Sequence, residues 1–413
     1  MRVEAGLTQK ELADPTYTAA YVSTIEAGKR QPSRKALEHL AGKLGVDADH
    51  LLTGRRPDLA VQLEDRYIEA RRLLASGQTD KAETAFTGLR REAKRYDLVL
   101  AEAKAEFGRG LTAEARLDLE EAIARYNSAL ELLANESPLA GIDALAAKAR
   151  CLQMTGEVRY AIHLLEQMLA VLRWEGLEDP GALLRLHTSL VAAYFHVGLF
   201  REANDSAEKA LALAPEVSDP ERLANMHINV ARISLQQNHL AEAERHYTLA
   251  EELFRVLGYN LDVGRVHLAR GFGLRSLDRL DDARKHLTSA VDAFRETGNA
   301  INEARATNEL ARVERMSGQV AEAKLLLRRS LTLSENGELD VIAIAHREAG
   351  LCETDVKEGE KGLRRAIDLF EQSGNSHELA TTYRELGDLL RERKDLQDAC
   401  EAYRVAALTL EAA

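Results

Sequence analysis

The sequence predicts an all-α protein, a small head of short helices followed by a long superhelical solenoid of helical hairpins. Composition is the first reason: only 7 of 413 residues are proline and 5% are aromatic, while long stretches run in Ala, Leu, Glu and Arg. Such a chain disfavours short strands separated by Gly/Pro turns. The second is a trio of residues, spaced 4 and then 3 apart, that recurs nine times from residue 60 onward. The third is that residues 1–56 lack this period and carry caps and glycine stops of their own.

In the head, Thr8-x-x-Glu11 is a capping box ahead of a short helix, which Asp14-Pro15 ends. Thr18 caps a second helix through Ala27, with Val22 and Ile25 on its buried face and Gly28 as its stop. A third helix carries the stripe Ala36, Leu37, Leu40, Ala41 and Leu44 and ends at Gly45, and Asp47 caps a fourth through Leu51 and Leu52. This is a helix-turn-helix module with supporting helices. The linker Gly54-Arg-Arg-Pro57 follows, so the head is taken as residues 1–56 and the body as 57–413.

In the body the trios are Ala82, Phe86, Leu89; Ala122, Tyr126, Ala129; Ala161, Leu165, Met168; Ala203, Ala207, Ala210; Ala243, Tyr247, Ala250; Ala283, Leu287, Ala290; Ala323, Leu327, Ser330; Gly359, Leu363, Ala366; and Ala399, Tyr403, Ala406. Their last members lie 40, 39, 42, 40, 40, 40, 36 and 40 residues apart. Each trio shares one helical face, and a period near 40 residues predicts stacked helical hairpins, about nine of them. The eighth, shortened and with Gly359 in the alanine position, departs most.

The net charge of −12 divides into +2 for the head, from nine Lys/Arg against seven Asp/Glu, and therefore −14 for the rest. Polyanion binding is thus expected of the head alone. No apolar run reaches the roughly 18 residues of a membrane span, and Glu4 interrupts the start before a signal-peptide core can build. Cys151, Cys352 and Cys400 lie too far apart for a metal or disulfide pattern, which fits a reducing cytoplasm. His187, His227 and His267 recur every 40 residues on a packing position of successive first helices, too far apart to share a metal. No catalytic constellation, phosphate loop, metal set or cofactor motif is present, so neither enzymatic activity nor a cofactor is expected.

The stretch from Leu190 through Tyr194, Gly198, Ala203 and Ala210 to Pro215 resembles the tetratricopeptide repeat nearly position for position. The resemblance implies that Tyr194 fills the aromatic position of a first helix, Gly198 turns the chain, and Ala203 and Ala210 let helices approach closely. The strings Leu7 to Ala13, Tyr21 to Ser33 and Leu44-Gly-Val46 resemble the Cro-type (Xre) DNA-binding domain. That resemblance implies that the Thr18 to Ala27 helix enters the major groove of double-stranded DNA, presenting Thr18, Ala19, Ala20, Ser23 and Thr24, while Gln9, Lys29 and Arg30 hold phosphates. With only short side chains on that face, readout is expected to be modest and shape-dependent. The family places a full helix ahead of the Gly6 equivalent, where only five residues stand, so either a start upstream of Met1, the favoured expectation, or a module lacking part of its core is expected.

Transferring the repeat register to the concave surface gives Arg150, Arg185, Asn225, Arg232, Arg265, Arg275, Arg305, Asn308, Arg312 and Arg315, with Phe195 and Phe272 beside them. Eight arginines among ten positions of an acidic body suggest an effector peptide or anionic small molecule; pairing with Glu of adjacent helices is the plainer alternative. The combination is similar to the peptide-pheromone receptor regulators, which implies a homodimeric transcription regulator. A scaffold binding a partner protein's segment, with a degenerate head, is the competing expectation.

Overall fold

In the computed structural model, residues 2–3, 5–53, 58–334 and 338–412 are described, and no strand occurs among them. The linker at 54–57 lies outside them. The head holds α1 (Gln9–Ala13), α2 (Ala19–Glu26), α3 (Arg34–Leu44) and α4 (Ala48–Thr53). Local chemistry sets each boundary. The Thr8 hydroxyl accepts from the Glu11 amide while Glu11 accepts from the Thr8 amide at 2.7 Å. Thr18 and Ser33 cap α2 and α3, and Gly45 ends α3 in the left-handed region at φ 67°. Leu12, Ala13, Val22 and Leu40 form the centre of the head's apolar cluster.

Nine hairpins follow among the described residues: α5 and α6 (Leu59–Ala75, Thr79–Arg95), α7 and α8 (Val99–Ala115, Leu119–Leu132), α9 and α10 (Ile142–Met154, Val158–Glu175), α11 and α12 (Pro180–His196, Phe200–Leu213), and α13 and α14 (Pro220–Gln236, Leu240–Leu257). They continue with α15 and α16 (Asn260–Ser276, Leu280–Glu296), α17 and α18 (Ala300–Met316, Val320–Leu333), α19 and α20 (Leu339–Leu351, Val356–Ser373), and α21 and α22 (Ser376–Glu392, Leu396–Ala412). Every trio lies on the second helix of its hairpin, and Phe86, Tyr126, Leu165, Tyr247, Leu287 and Leu363 are fully buried.

In eight hairpins the turn residue adopts a positive φ, whether it is Gly77, Gly156, Gly198 and Gly318 or Leu117, Asn238, Asp278 and Lys394. The turn geometry is therefore imposed by packing of the two helices, since an ordinary side chain adopts the left-handed region only at a cost. The eighth hairpin is joined differently, through Asp355, whose side chain caps α20. There the two helices cross at Gly350 and Gly359, and a Cβ on Gly350 would sit 2.8 Å from the Gly359 carbonyl oxygen. A glycine in the alanine position thus marks a closer backbone approach.

The superhelix closes on itself. Leu59, Leu63, Leu74 and Phe86 share one apolar cluster with Leu261, Leu274, Leu287 and Phe294. Across this seam the Arg71 guanidinium donates to Glu221 at 2.8 and 2.9 Å, and the Asn299 amide donates to the Ala115 carbonyl at 3.2 Å. Gly77 packs so tightly that a Cβ there would fall 1.7 Å from the Thr297 carbonyl oxygen.

Candidate ligand groove and DNA-reading face

In the head, Ala20 and Ser23 are exposed along α2 and Ala19 is half-buried. Thr18 is occupied as the cap, and the Thr24 hydroxyl donates to the Tyr21 carbonyl at 2.7 Å. Lys29 and Arg30 are exposed just beyond the helix, with the Arg30 guanidinium 5.0 Å above the Tyr21 ring. Gln9 is committed elsewhere. Its amide donates to Glu26 at 2.7 Å, beside Arg2, whose guanidinium donates to the same carboxylate at 2.6 Å. These donors hold the Glu26 carboxyl below its ordinary value. Beneath Arg2 and Glu26 an apolar cleft of about 370 Å³ lies between Val22, Ile25, Leu37, Leu40, Leu44 and Leu51.

In the body, the ten groove positions separate into two kinds. Arg150 donates to Glu114 at 2.5 and 2.7 Å, and Tyr126 donates to the same carboxylate, which these partners hold down at about 2 against the opposing effect of burial. Arg275 donates to Glu309 at 3.0 Å; Arg312 and Arg315 share Glu348 at 3.0 and 2.9 Å. Arg265 meets Asp262, one turn back on its own helix, at 3.1 Å, and Arg185 stands 3.6 Å from Asp143. The plainer reading, arginine paired with Glu of an adjacent helix, therefore describes four of the eight, while Arg185 and Arg265 stand beside aspartates, that of Arg265 on its own helix. Arg232 and Arg305 differ: among the described residues neither has a carboxylate within ion-pair distance. Burial lowers the pKa of both from the ordinary guanidinium value, partly opposed for Arg305 by Glu338. The two asparagines are engaged too, Asn225 donating to the Glu221 carbonyl and Asn308 to the Val341 carbonyl, each at 2.9 Å.

Two cavities open on the inner surface. One, of about 300 Å³, lies against the seam, where Arg71, Arg150, Arg185, Arg265 and Arg305 stand among the carboxylates of Glu114, Glu221 and Asp262. The other, of about 630 Å³, is lined by Arg232, Arg265, Arg305 and Asn308 with Phe195, Ile228, Leu268 and Phe272. Arg305 lines both cavities, and Arg232 joins it only in this one. The Arg232 guanidinium lies 4.9 Å from the Phe195 ring centroid and that of Arg275 lies 4.8 Å from Phe272, so both aromatics hold cations by their faces.

The register transfer missed Ile228 and Leu268, although they lie one period apart and one period before Asn308. It also missed Arg71 and Tyr259, which belong to the seam and follow no period. Two of the three histidines of the row pair within their own hairpins, whereas the buried His187 Nδ1 has no hydrogen-bond partner. His227 and His246 approach at 2.9 Å between Nδ1 atoms, and His267 and His286 at 3.3 Å, inside hairpins. Among the described residues no group of three or more potential ligands could hold a metal ion. No helix among those residues is long and apolar enough to cross a membrane.

The Helix-turn-helix domain family model matches residues 1–53, and the Tetratricopeptide repeat model matches residues 262–336. The chain thus joins a helix-turn-helix domain to a tetratricopeptide-repeat body. The Regulatory protein AfsR of Streptomyces griseus is 30% identical over 132 residues, which are 32% of this chain and 14% of that protein. Among solved structures, a Rap protein complexed with competence and sporulation factor aligns over 85% of this chain and 98% of its own, at TM-score 0.60 and 15% identity. The apo quorum sensor NprR from B. thuringiensis aligns over 86% of this chain and 100% of its own, at TM-score 0.53 and 15% identity. At such identity these likenesses establish the fold.

Proposed function

We propose that this chain is a DNA-binding transcription regulator whose repeat body takes an effector and pairs two copies. One observation carries the reading. A single chain unites a cation-flanked second helix, exposed at Ala20, Ser23, Lys29 and Arg30, with an inner cavity holding guanidinium groups that lack carboxylate partners among the described residues. Lys29 and Arg30 contact phosphates, while α2 reads the groove through small side chains and shape. Gln9, tied to Glu26, contributes by holding α1 against α2. The Rap protein and NprR comparisons supply the precedent for this body as a sensor, named as they are for a complexed signalling factor and for quorum sensing. Pairing of two copies follows from the head's size, since one module reads one half-site and specific binding needs two, about 34 Å apart. The reading places the protein in the cytoplasm, where DNA is accessible.

The test is binding of the full chain to duplex DNA across a salt series. Lys29→Ala/Arg30→Ala should weaken binding to all sequences and reduce the salt slope by about 0.9 for each phosphate no longer neutralised. Unchanged binding at low salt removes the phosphate assignment. Absence of any salt-sensitive binding by the wild type would favour the interaction scaffold. Sedimentation that finds only monomer at micromolar concentration, with and without DNA, would overturn the pairing.

A further inference from the structure

Resting on the reading that the body takes an effector, we propose that the occupant of the larger cavity is an amphipathic organic acid. It carries a carboxylate on an aromatic or aliphatic body, with a separate hydrogen-bond donor, and it is not an extended peptide. Charge supplies the first argument. Arg232 and Arg305 project into this cavity without a carboxylate partner among the described residues, while the lining carboxylates Glu309 and Glu378 are already taken by Arg275 and Arg347. Arg232 lies over the Phe195 ring by its face, which leaves its in-plane N–H donors free for a planar carboxylate. A buried cation without a partner is costly, and an entering anion removes that cost.

The walls supply the second argument. Phe195, Ile228, Leu235, Leu268, Phe272 and Ile344 present apolar surface. An extended peptide brings a donor and an acceptor with every residue, and each must be met once water is expelled. Of the groove asparagines only Asn308 lines this cavity, and one of its two amide N–H donors is already spent on the Val341 carbonyl, which leaves few polar groups to meet such a backbone. A compact apolar body makes no such demand. The volume, about 630 Å³, is that of a small-molecule site.

The third argument is independent of the arginines. Asn308 is 2% exposed and its carbonyl oxygen Oδ1 has no hydrogen-bond partner. With its amide nitrogen given to Val341, the unmet atom is a buried acceptor in a residue of the cavity wall, and an occupant that shifts this side chain gains by bringing a donor to it besides the acid.

The experiment is isothermal titration of the full-length protein with four probes. These are a hydroxynaphthoate bearing hydroxyl and carboxylate at opposite ends of the rings, naphthoate, the corresponding hydroxynaphthamide, and an acidic octapeptide. We expect the hydroxynaphthoate to bind best, with about tenfold loss on removing the hydroxyl and at least that on replacing the carboxylate by the amide. Arg232→Gln and Arg305→Gln should each weaken the two acids at least tenfold and leave the amide unchanged, whereas Arg404→Gln on the last helix should change nothing. The wild-type probe series decides the matter even where a variant fails to fold. Binding of the peptide alone, equal binding of acid and amide, or no binding of either acid at millimolar concentration overturns the proposal. DNA affinity measured with and without bound acid separates the two readings: arginine-dependent binding that leaves DNA affinity unchanged keeps the ligand class and removes the regulatory role.

Discussion

The head and the body are built from the same kind of helix, yet they reach stability by different routes. The head gathers Leu12, Ala13, Val22 and Leu40 around an apolar cleft that remains open, and it relies on caps at Thr8, Thr18 and Ser33. The body buries twenty residues in its largest cluster alone, and that cluster joins repeats far apart in sequence. Small modules bury a lower fraction of their surface and are correspondingly marginal. The lesson is that local signals hold the head, whereas accumulated packing holds the body.

The largest effect that tests this contrast is removal of a ring from the body. Phe294→Ala should cost about 3–5 kcal/mol in the main denaturation transition and leave an earlier head transition in place. If both transitions move together in denaturant titrations followed by circular dichroism, head and body are one cooperative unit and the contrast fails. Next comes the seam. Arg71→Ala deletes two charge-assisted hydrogen bonds to Glu221 and should cost about 1.5–3 kcal/mol, with an increase in radius of gyration by small-angle scattering. An unchanged radius would mean that the apolar cluster alone closes the superhelix.

In the head, Thr18→Ala should cost about 1 kcal/mol, read as a shift of the first transition only. The body also has a pH dependence of its own. Burial holds His187, His227 and His286 near 4 in the folded chain, with neighbouring cations Lys209, Arg245 and Arg270 adding to the shift. The unfolded chain takes up these protons near its ordinary value of about 6.5, so body stability should fall as pH drops from about 6.5 toward 4. Replacing His227 and His286 by Gln should flatten that slope; an unchanged slope would assign the acid sensitivity to other groups.

The same contrast explains what was legible in the sequence. Thr8, Thr18, Gly45 and the nine trios act on residues a few positions away, so their periodicity shows directly where helices begin, turn and bury a face. The groove was legible as a row of arginines but not as a site. Whether a guanidinium is free depends on a carboxylate some 33 to 36 residues away, as Glu114 is from Arg150 and Glu348 from Arg315. Gln9 shows the same limit on a smaller scale, its amide being captured by Glu26 on the next helix. The seam was illegible because it depends on the summed twist of several repeats, which no single period encodes.

A stack of nearest neighbours behaves as an open spring, in which losing an end coil costs only that coil. The contact of Arg71 with Glu221 and of Gly77 with Thr297 clips the first coil to the fifth and to the end of the sixth. The arc between the clips becomes a loop whose closure entropy is shared by every repeat within it, so slackening at any hinge loads the same clip. Both inner cavities border that arc, and the head is attached to the clipped coil. In the proposed regulator, an occupant of the groove would therefore act on the same closed arc that includes the coil from which the head is joined.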